Sequence, residues 1–435
     1  MKRTIDCSHT LTVEIQMNSR DRALQHRAVW SFATGEKING VISIAARSDI
    51  AFDNLHISFI GEQSTRIPSD NPDKALHRFL EVKHPSEAAI LPSPRVLKAG
   101  HHYEFPFSFE VPDYLPSSCC PHSAHPLVKA AHLQPPPSCG DASLSGFGGR
   151  LRDDSVPPAC KVVYAILVQL QRAGLVSGIQ ETILEKRFKV RIKPLAGEIL
   201  PPDLPMGSLD NDYTLYQEEP IRNSKSNHHL SPVGSLAITL EQPDCFWLPL
   251  RDPISPISKA VRFSLLYTSP SPSNQSSTSP SPPKPPDLKS LRAAITATTL
   301  YTTSLTTPEP IPPKRKDFLN RPLNFSDIDI PLSIPSTPHL TWTQVESETG
   351  TATVIVQTAS LLVPVTLPRD KTFPPTFHSC LISRVYSLTF QIAFQGVSVP
   401  FRLRVPMRIA AERDPGILPS YRASLGVVEA DWGGE

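Results

Sequence analysis

Apolar side chains recur at every second position along much of this chain, whereas stripes at the helical spacing of 3.6 residues are scarce. Leu11, Val13 and Ile15 alternate with Thr12 and Glu14. Leu55, Ile57 and Phe59 alternate with His56 and Ser58, and Gly61 ends the run. Tyr103, Phe105, Phe107, Phe109 and Val111 alternate with Glu104, Pro106, Ser108 and Glu110. Tyr164-Ile166-Val168-Leu170 and Phe188-Val190-Ile192 follow. Segments that bury one face and wet the other are the units of stacked antiparallel sheets. Pro106 has no N–H to give a ladder, so its strand is expected at a sheet edge or a bulge.

A second set of strands begins after a break. Residues 199–233, with ILPPDLP and HHLSPV, read as an interdomain linker. Strands resume at Leu236-Ile238-Leu240 and Val261-Phe263-Leu265, then at Val354-Val356, Leu388-Phe390-Ile392-Phe394 and Phe401-Leu403-Val405-Met407-Ile409. LRAAITATTL (291–300) suits a strand better than a helix, given its threonines and isoleucine. The Ser/Pro tract at 269–287 is too polar to form a packed core, and residues 119–158 read as a similar flexible insertion. The expected architecture is therefore all-β: two immunoglobulin-like β-sandwich domains in tandem with disordered Pro/Ser-rich insertions. The first covers 1–198 and the second 234–411, followed by a flexible tail at 412–435.

Composition agrees. Of 435 residues, 48 are proline against 19 glycine, which disfavours long helices and suits edge strands and loops. A net charge of +2 sets up no overall field that would select nucleic acid. The start, MKRTIDCSHTLTVEI, has two basic residues but no apolar run behind them, so no signal peptide is expected. Seven cysteines without regular spacing fit a reducing compartment, and a cytoplasmic location is the expectation.

Several of these runs together resemble a known family. GEKINGVISIAA (35–46) and LHISFIGEQSTR (55–66) are similar to the opening of arrestin N-terminal domains, where a strand ends in a Phe-x-Gly turn. LKAGHHYEFPFSFEVPDYLPSS (97–118) resembles the family's F-P-F-x-F-x-V-P-x-x-L-P signature, and CKVVYAILVQLQRAG (160–174) the long strand that follows it. FPPTFHSCLISRVYSLTFQIAF (373–394) and FRLRVPMRIA (401–410) resemble the last strands of arrestin C-terminal domains. HLQPPPSCG (132–140) and DDSVPP (153–158) bring the likeness closest to fungal α-arrestin-like proteins. The signature residues Gly35, Glu36, Gly40, Gly61, Gly100, Phe105, Pro106, Phe107, Phe109, Pro112 and Pro116 read as fold determinants. Gly40, Gly61 and Gly100 are expected at strand ends, where φ > 0 is easily reached.

The resemblance implies a trafficking adaptor that joins the cytosolic tails of membrane transporters or receptors to a WW-domain ubiquitin ligase of the HECT class. Its working places would be the cytoplasm and, by recruitment, the plasma membrane or endosomes. Leu418, Pro419, Ser420 and Tyr421 form the docking motif such a scheme requires. A short pre-extended segment loses little entropy when Pro and Tyr enter aromatic-lined grooves. VPDY (111–114) has a similar form but lies inside a fold-forming run. The alternatives are an arrestin-clan scaffold that needs no ligase, and an enzyme.

Other candidates are weighed against plainer readings. Lys186, Arg187, Lys189, Arg191 and Lys193 read as a basic stripe on one exposed face, suited to acidic tails or anionic headgroups; Arg402, Arg404 and Arg408 resemble it. The plainer reading is a solvated strand face. The resemblance also makes Lys186, Lys189 and Lys193 ubiquitin acceptors. Ser269, Ser271, Ser279 and Ser281 each precede proline and would suit proline-directed kinases. Cys119, Cys120, His122, His125, His132, Cys139 and Cys160 cluster, and zinc takes Cys and His. No C-x-x-C pair exists and adjacent cysteines rarely both ligate one ion, so no metal and no cofactor is assigned. No nucleophile frame or phosphate loop appears, GFGGR (146–150) lacking the P-loop Lys-Ser/Thr, and no catalytic residue is assigned.

Overall fold

The computed structural model describes residues 2–6, 10–18, 29–67, 74–85, 91–120, 126–144, 152–173, 180–195, 213–222, 232–249, 255–270, 284–303, 323–334, 340–345 and 354–412. Almost every element is a strand. The first half holds β1 (Lys2–Asp6), β2 (Leu11–Met17), β3 (Ser31–Ala33), β4 (Lys37–Ala46), β5 (Ile50–Ala51), β6 (Asn54–Arg66), β7 (Lys74–Lys83), β8 (Val96–Leu97), β9 (His102–Glu110), β10 (Cys160–Ala173) and β11 (Gln180–Lys193). Between β9 and β10 lie a 3-10 turn (Ser117–Cys119) and a short helix, α1 (Pro126–His132). The second half holds β12 (Tyr216–Arg222), β13 (Pro232–Leu240), β14 (Phe246–Leu248), β15 (Ser258–Pro270), β16 (Leu288–Thr302), β17 (Leu323–Leu332), β18 (Thr343–Val345), β19 (Val354–Thr366), β20 (Phe377–His378), β21 (Ile382–Phe394), β22 (Phe401–Met407) and β23 (Ile409–Ala411).

These strands form stacked pairs of sheets. A sheet of order β1-β2-β4-β9 faces one of order β3-β11-β10-β6-β7, and their inward residues share one apolar cluster. A sheet of order β12-β13-β15-β19-β18 likewise shares a second cluster with β17-β16-β21-β20, to which β22 adds by pairing with β21. The alternation read from sequence sets these faces: Leu11, Val13, Ile15 and Met17 of β2 are all buried. Phe105, Phe107 and Phe109 are each 4% exposed, a burial that contributes roughly 1.5–3 kcal/mol per side chain. β9 is the terminal strand of its sheet, the place that Pro106 demands.

Four expectations need correction. Gly40 and Gly61 lie inside β4 and β6 rather than at strand ends. A Cβ on Gly40 would stand 2.7 Å from the Gln16 carbonyl oxygen and from the Phe107 ring; one on Gly61 would stand 2.5 Å from Phe79. Room for rings, not φ, selects these two glycines, whereas Gly35 (φ 78°) and Gly100 (φ 73°) do take the left-handed conformation. Part of the expected linker is a strand, since β12 pairs with β13; its side chains alternate only between exposed and half-buried, so no apolar pattern marks it. Ser269 lies in β15 opposite Ile355 with its side chain fully buried, so the folded chain does not offer it to a kinase. The described parts of 119–158 are built into the first cluster: Pro135, Pro136 and Pro137 are buried, the Tyr164 hydroxyl donates to the Pro136 carbonyl at 2.8 Å, and Cys139 bridges Val162. Prolines lack donors, but here the Pro136 carbonyl and the N–H groups of Gln134 and Ser138 that flank the run find partners. The segment 271–283 lies outside the described residues. No helix among those described is long and apolar enough to cross a membrane.

Candidate functional site

The basic stripe on β11 is mostly committed within the protein. Arg187, Lys189, Arg191 and Lys193 share the outward parity, while Lys186 has the parity of Phe188 and Val190 and falls on the other face. Arg187 reaches Glu62 at 2.6 Å and Glu185 at 3.2 Å, and Glu62 also pairs with Arg78 at 2.8 Å. Lys189 reaches Asp141 at 2.6 Å. Burial alone would raise the Asp141 carboxyl, but hydrogen bonds from Lys189 and Ser143 hold it below its ordinary value. Arg191 is half-buried, and desolvation brings its guanidinium down to about 10. In the second half, Arg402 is exposed, Arg404 bonds the Ser387 hydroxyl at 2.9 Å, and burial lowers Arg408. The WW-docking residues Leu418, Pro419, Ser420 and Tyr421 lie outside the described residues.

The most elaborate chemistry lies where the two halves meet. Gln63, on β6 and 1% exposed, receives the Ser379 hydroxyl at 2.7 Å on Oε1, and its Nε2 lies 2.8 Å from His77 Nδ1. Thr65 donates to the Thr302 carbonyl at 2.6 Å. Arg384 of β21 is 1% exposed: it bonds the Thr299 hydroxyl at 2.5 Å, reaches the Asp154 carbonyl at 3.4 Å and lies 5.1 Å from the Tyr386 ring centroid. Asp154 also accepts the Gly140 N–H at 2.7 Å. At the rim, Lys371 meets Asp153 at 2.7 Å, Arg152 donates to the Arg369 carbonyl, and Leu195 bridges Ala411.

Cysteines crowd the same seam. Cys120 follows the 3-10 turn, His132 closes α1, and Cys380 precedes β21. Cys120 Sγ lies 3.5 Å and Cys380 Sγ 3.8 Å from His132 Nδ1, and Cys380 Sγ lies 3.9 Å from the Cys119 carbonyl. Burial pushes Cys119 up to about 11 and Cys160 up to about 12, and it raises Cys139 and Cys380 as well. Those shifts are opposite to what a thiolate nucleophile needs. Beside the cluster an open cleft is lined by Tyr114, Gln134, Leu195, Phe377, His378 and Arg408. Sequence reasoning found Cys120 and His132 but not Cys380, which lies 248 residues beyond His132.

Compared with known proteins, the chain matches no protein-family model and no curated protein.

Proposed function

We propose that this chain is a non-enzymatic adaptor of the α-arrestin kind, holding a membrane protein's cytosolic segment while presenting a peptide to a WW-domain ubiquitin ligase. The observation that carries the reading is the place of Leu418-Pro419-Ser420-Tyr421 in the sequence, after β23, the last strand among the described residues of an all-β body. The resemblance of the 97–118 run supports it, as does the burial of Phe105, Phe107 and Phe109 around which that run is built. The mechanism makes and breaks no bond in the chain itself. Holding two partners at once raises the effective concentration of one near the other. A single docking motif implies modest affinity, reinforced by whatever second contact the ligase makes.

The test is a titration of purified WW domains with the full chain and with Tyr421→Ala. The reading expects at least a tenfold loss of affinity in the variant. Equal binding by the two chains removes the ligase from the scheme and favours the scaffold reading, in which deletion of 412–435 leaves function intact.

A further inference from the structure

We propose that Cys120, His132 and Cys380 form a zinc-binding site that clasps the two halves of the molecule together. The inference does not depend on the adaptor reading. The three donor atoms lie within 4.8 Å of one another, and their residues are 5%, 3% and 7% exposed. Zinc holds sulfur at about 2.3 Å and imidazole nitrogen at about 2.0–2.1 Å, so a tetrahedral centre sets N···S edges of about 3.6 Å. The distances from His132 Nδ1 to the two sulfurs, 3.5 and 3.8 Å, bracket that edge. An ion at their common centre would need little movement of the protein.

The donor set narrows the ion. Two sulfurs and one imidazole are poor ligands for calcium or magnesium, which take oxygen, and good ones for zinc. Charge balance points the same way. Binding releases one proton from each thiol, and one Zn²⁺ with two thiolates and a neutral imidazole carries no net charge. A neutral centre suits a buried seam, where an uncompensated ion is strongly disfavoured. Described residues supply three of the four positions of a tetrahedral ion.

The elements bearing the ligands explain what the ion would do. Cys120 and His132 sit in the segment between β9 and β10, and Cys380 stands two residues before the start of β21, the central strand of its sheet. A bond spanning the 260 residues from Cys120 to Cys380 restricts the unfolded chain far more than the folded one, as a long-loop crosslink does.

The test uses the full chain, reduced and equilibrated with zinc, then dialysed and analysed for metal per chain. About one zinc per chain is expected, falling at least tenfold in Cys120→Ser, Cys380→Ser and His132→Gln, while Cys245→Ser retains it. Cobalt replaces zinc in the wild type for a readout independent of any variant's folding. It should show a sulfur-to-cobalt charge-transfer band. A folded, reduced wild type that keeps less than a tenth of an equivalent of zinc and shows no such band overturns the proposal. So does one that takes up no metal but forms a Cys120–Cys380 disulfide on oxidation, which would make the cluster a thiol pair instead.

Discussion

Single residues in this molecule are chosen as often for the space they leave as for the contacts they make. Gly100 and Gly140 share a left-handed backbone, at φ 73° and 69°. They differ in surroundings: a Cβ on Gly100 meets nothing within 4 Å, while one on Gly140 would stand 2.0 Å from the Cys160 carbonyl oxygen. Gly100→Ala should therefore destabilise by roughly 1–2 kcal/mol, the conformational term alone. Gly140→Ala adds a clash with main chain and should lose roughly 3 kcal/mol or more. Urea unfolding of the two variants measures the difference; equal losses would show that the packing around Gly140 is misjudged. Gly140 had no signal in sequence beyond its place after a proline run. Its need for glycine comes from β10, whose first residue crosses over it.

Strands were legible where one face is buried and the other wet. β2, β9, β11 and β22 could be read from alternation, because sheet packing hides every second residue. β7 and β12 could not: of β7 only Phe79 and Leu80 are buried, and no side chain of β12 is. A strand at a sheet edge without a buried face carries no periodic signal. β9 combines both features, and a pair of variants separates them. Phe107→Ala should destabilise by roughly 3–5 kcal/mol, since it opens a cavity between the sheets. Pro106→Val, at an exposed position, should change stability by about 0.5 kcal/mol or less. It also restores an N–H to a terminal strand, so light scattering should detect more self-association than in the wild type. Denaturation midpoints that move equally for the two variants would contradict the assignment of inward and outward faces.

At the scale of the whole molecule, the seam between the halves is what sequence could least foresee. Gln63 with Ser379, Asp153 with Lys371 and Cys120 with Cys380 are each more than 200 residues apart, and no local pattern links them. The cysteine-rich segment was visible as a cluster but lacked its partner from the second half. The rim pair offers a test through pH. A hydrogen bond from Lys371 is the chief cause holding Asp153 below the ordinary carboxylate range, and the same bond raises Lys371 above 10.5. The Asp153 contribution is thus present above its unfolded value near 4 and is lost as pH falls through the lower folded one. The Lys371 contribution is complete below its unfolded value and is lost only as pH rises through the raised one. Both groups are partly exposed, so Lys371→Met should cost about 1 kcal/mol or less at neutral pH. Wild type and variant should converge in stability once the pH has fallen below the lowered folded value of Asp153, where its carboxyl is protonated in both. A gap that stays constant from neutral pH down to that point would assign the effect of Lys371 to packing.

The adaptor reading asks one thing above all, that a single chain stand beside two kinds of partner at once. Proximity labelling from the full chain inside its source cell reports both together. The account predicts labelled WW-domain ubiquitin ligase and labelled membrane proteins, with Tyr421→Ala losing the first group and keeping the second. Labelling of neither group, or of both groups unchanged by Tyr421→Ala, would contradict it.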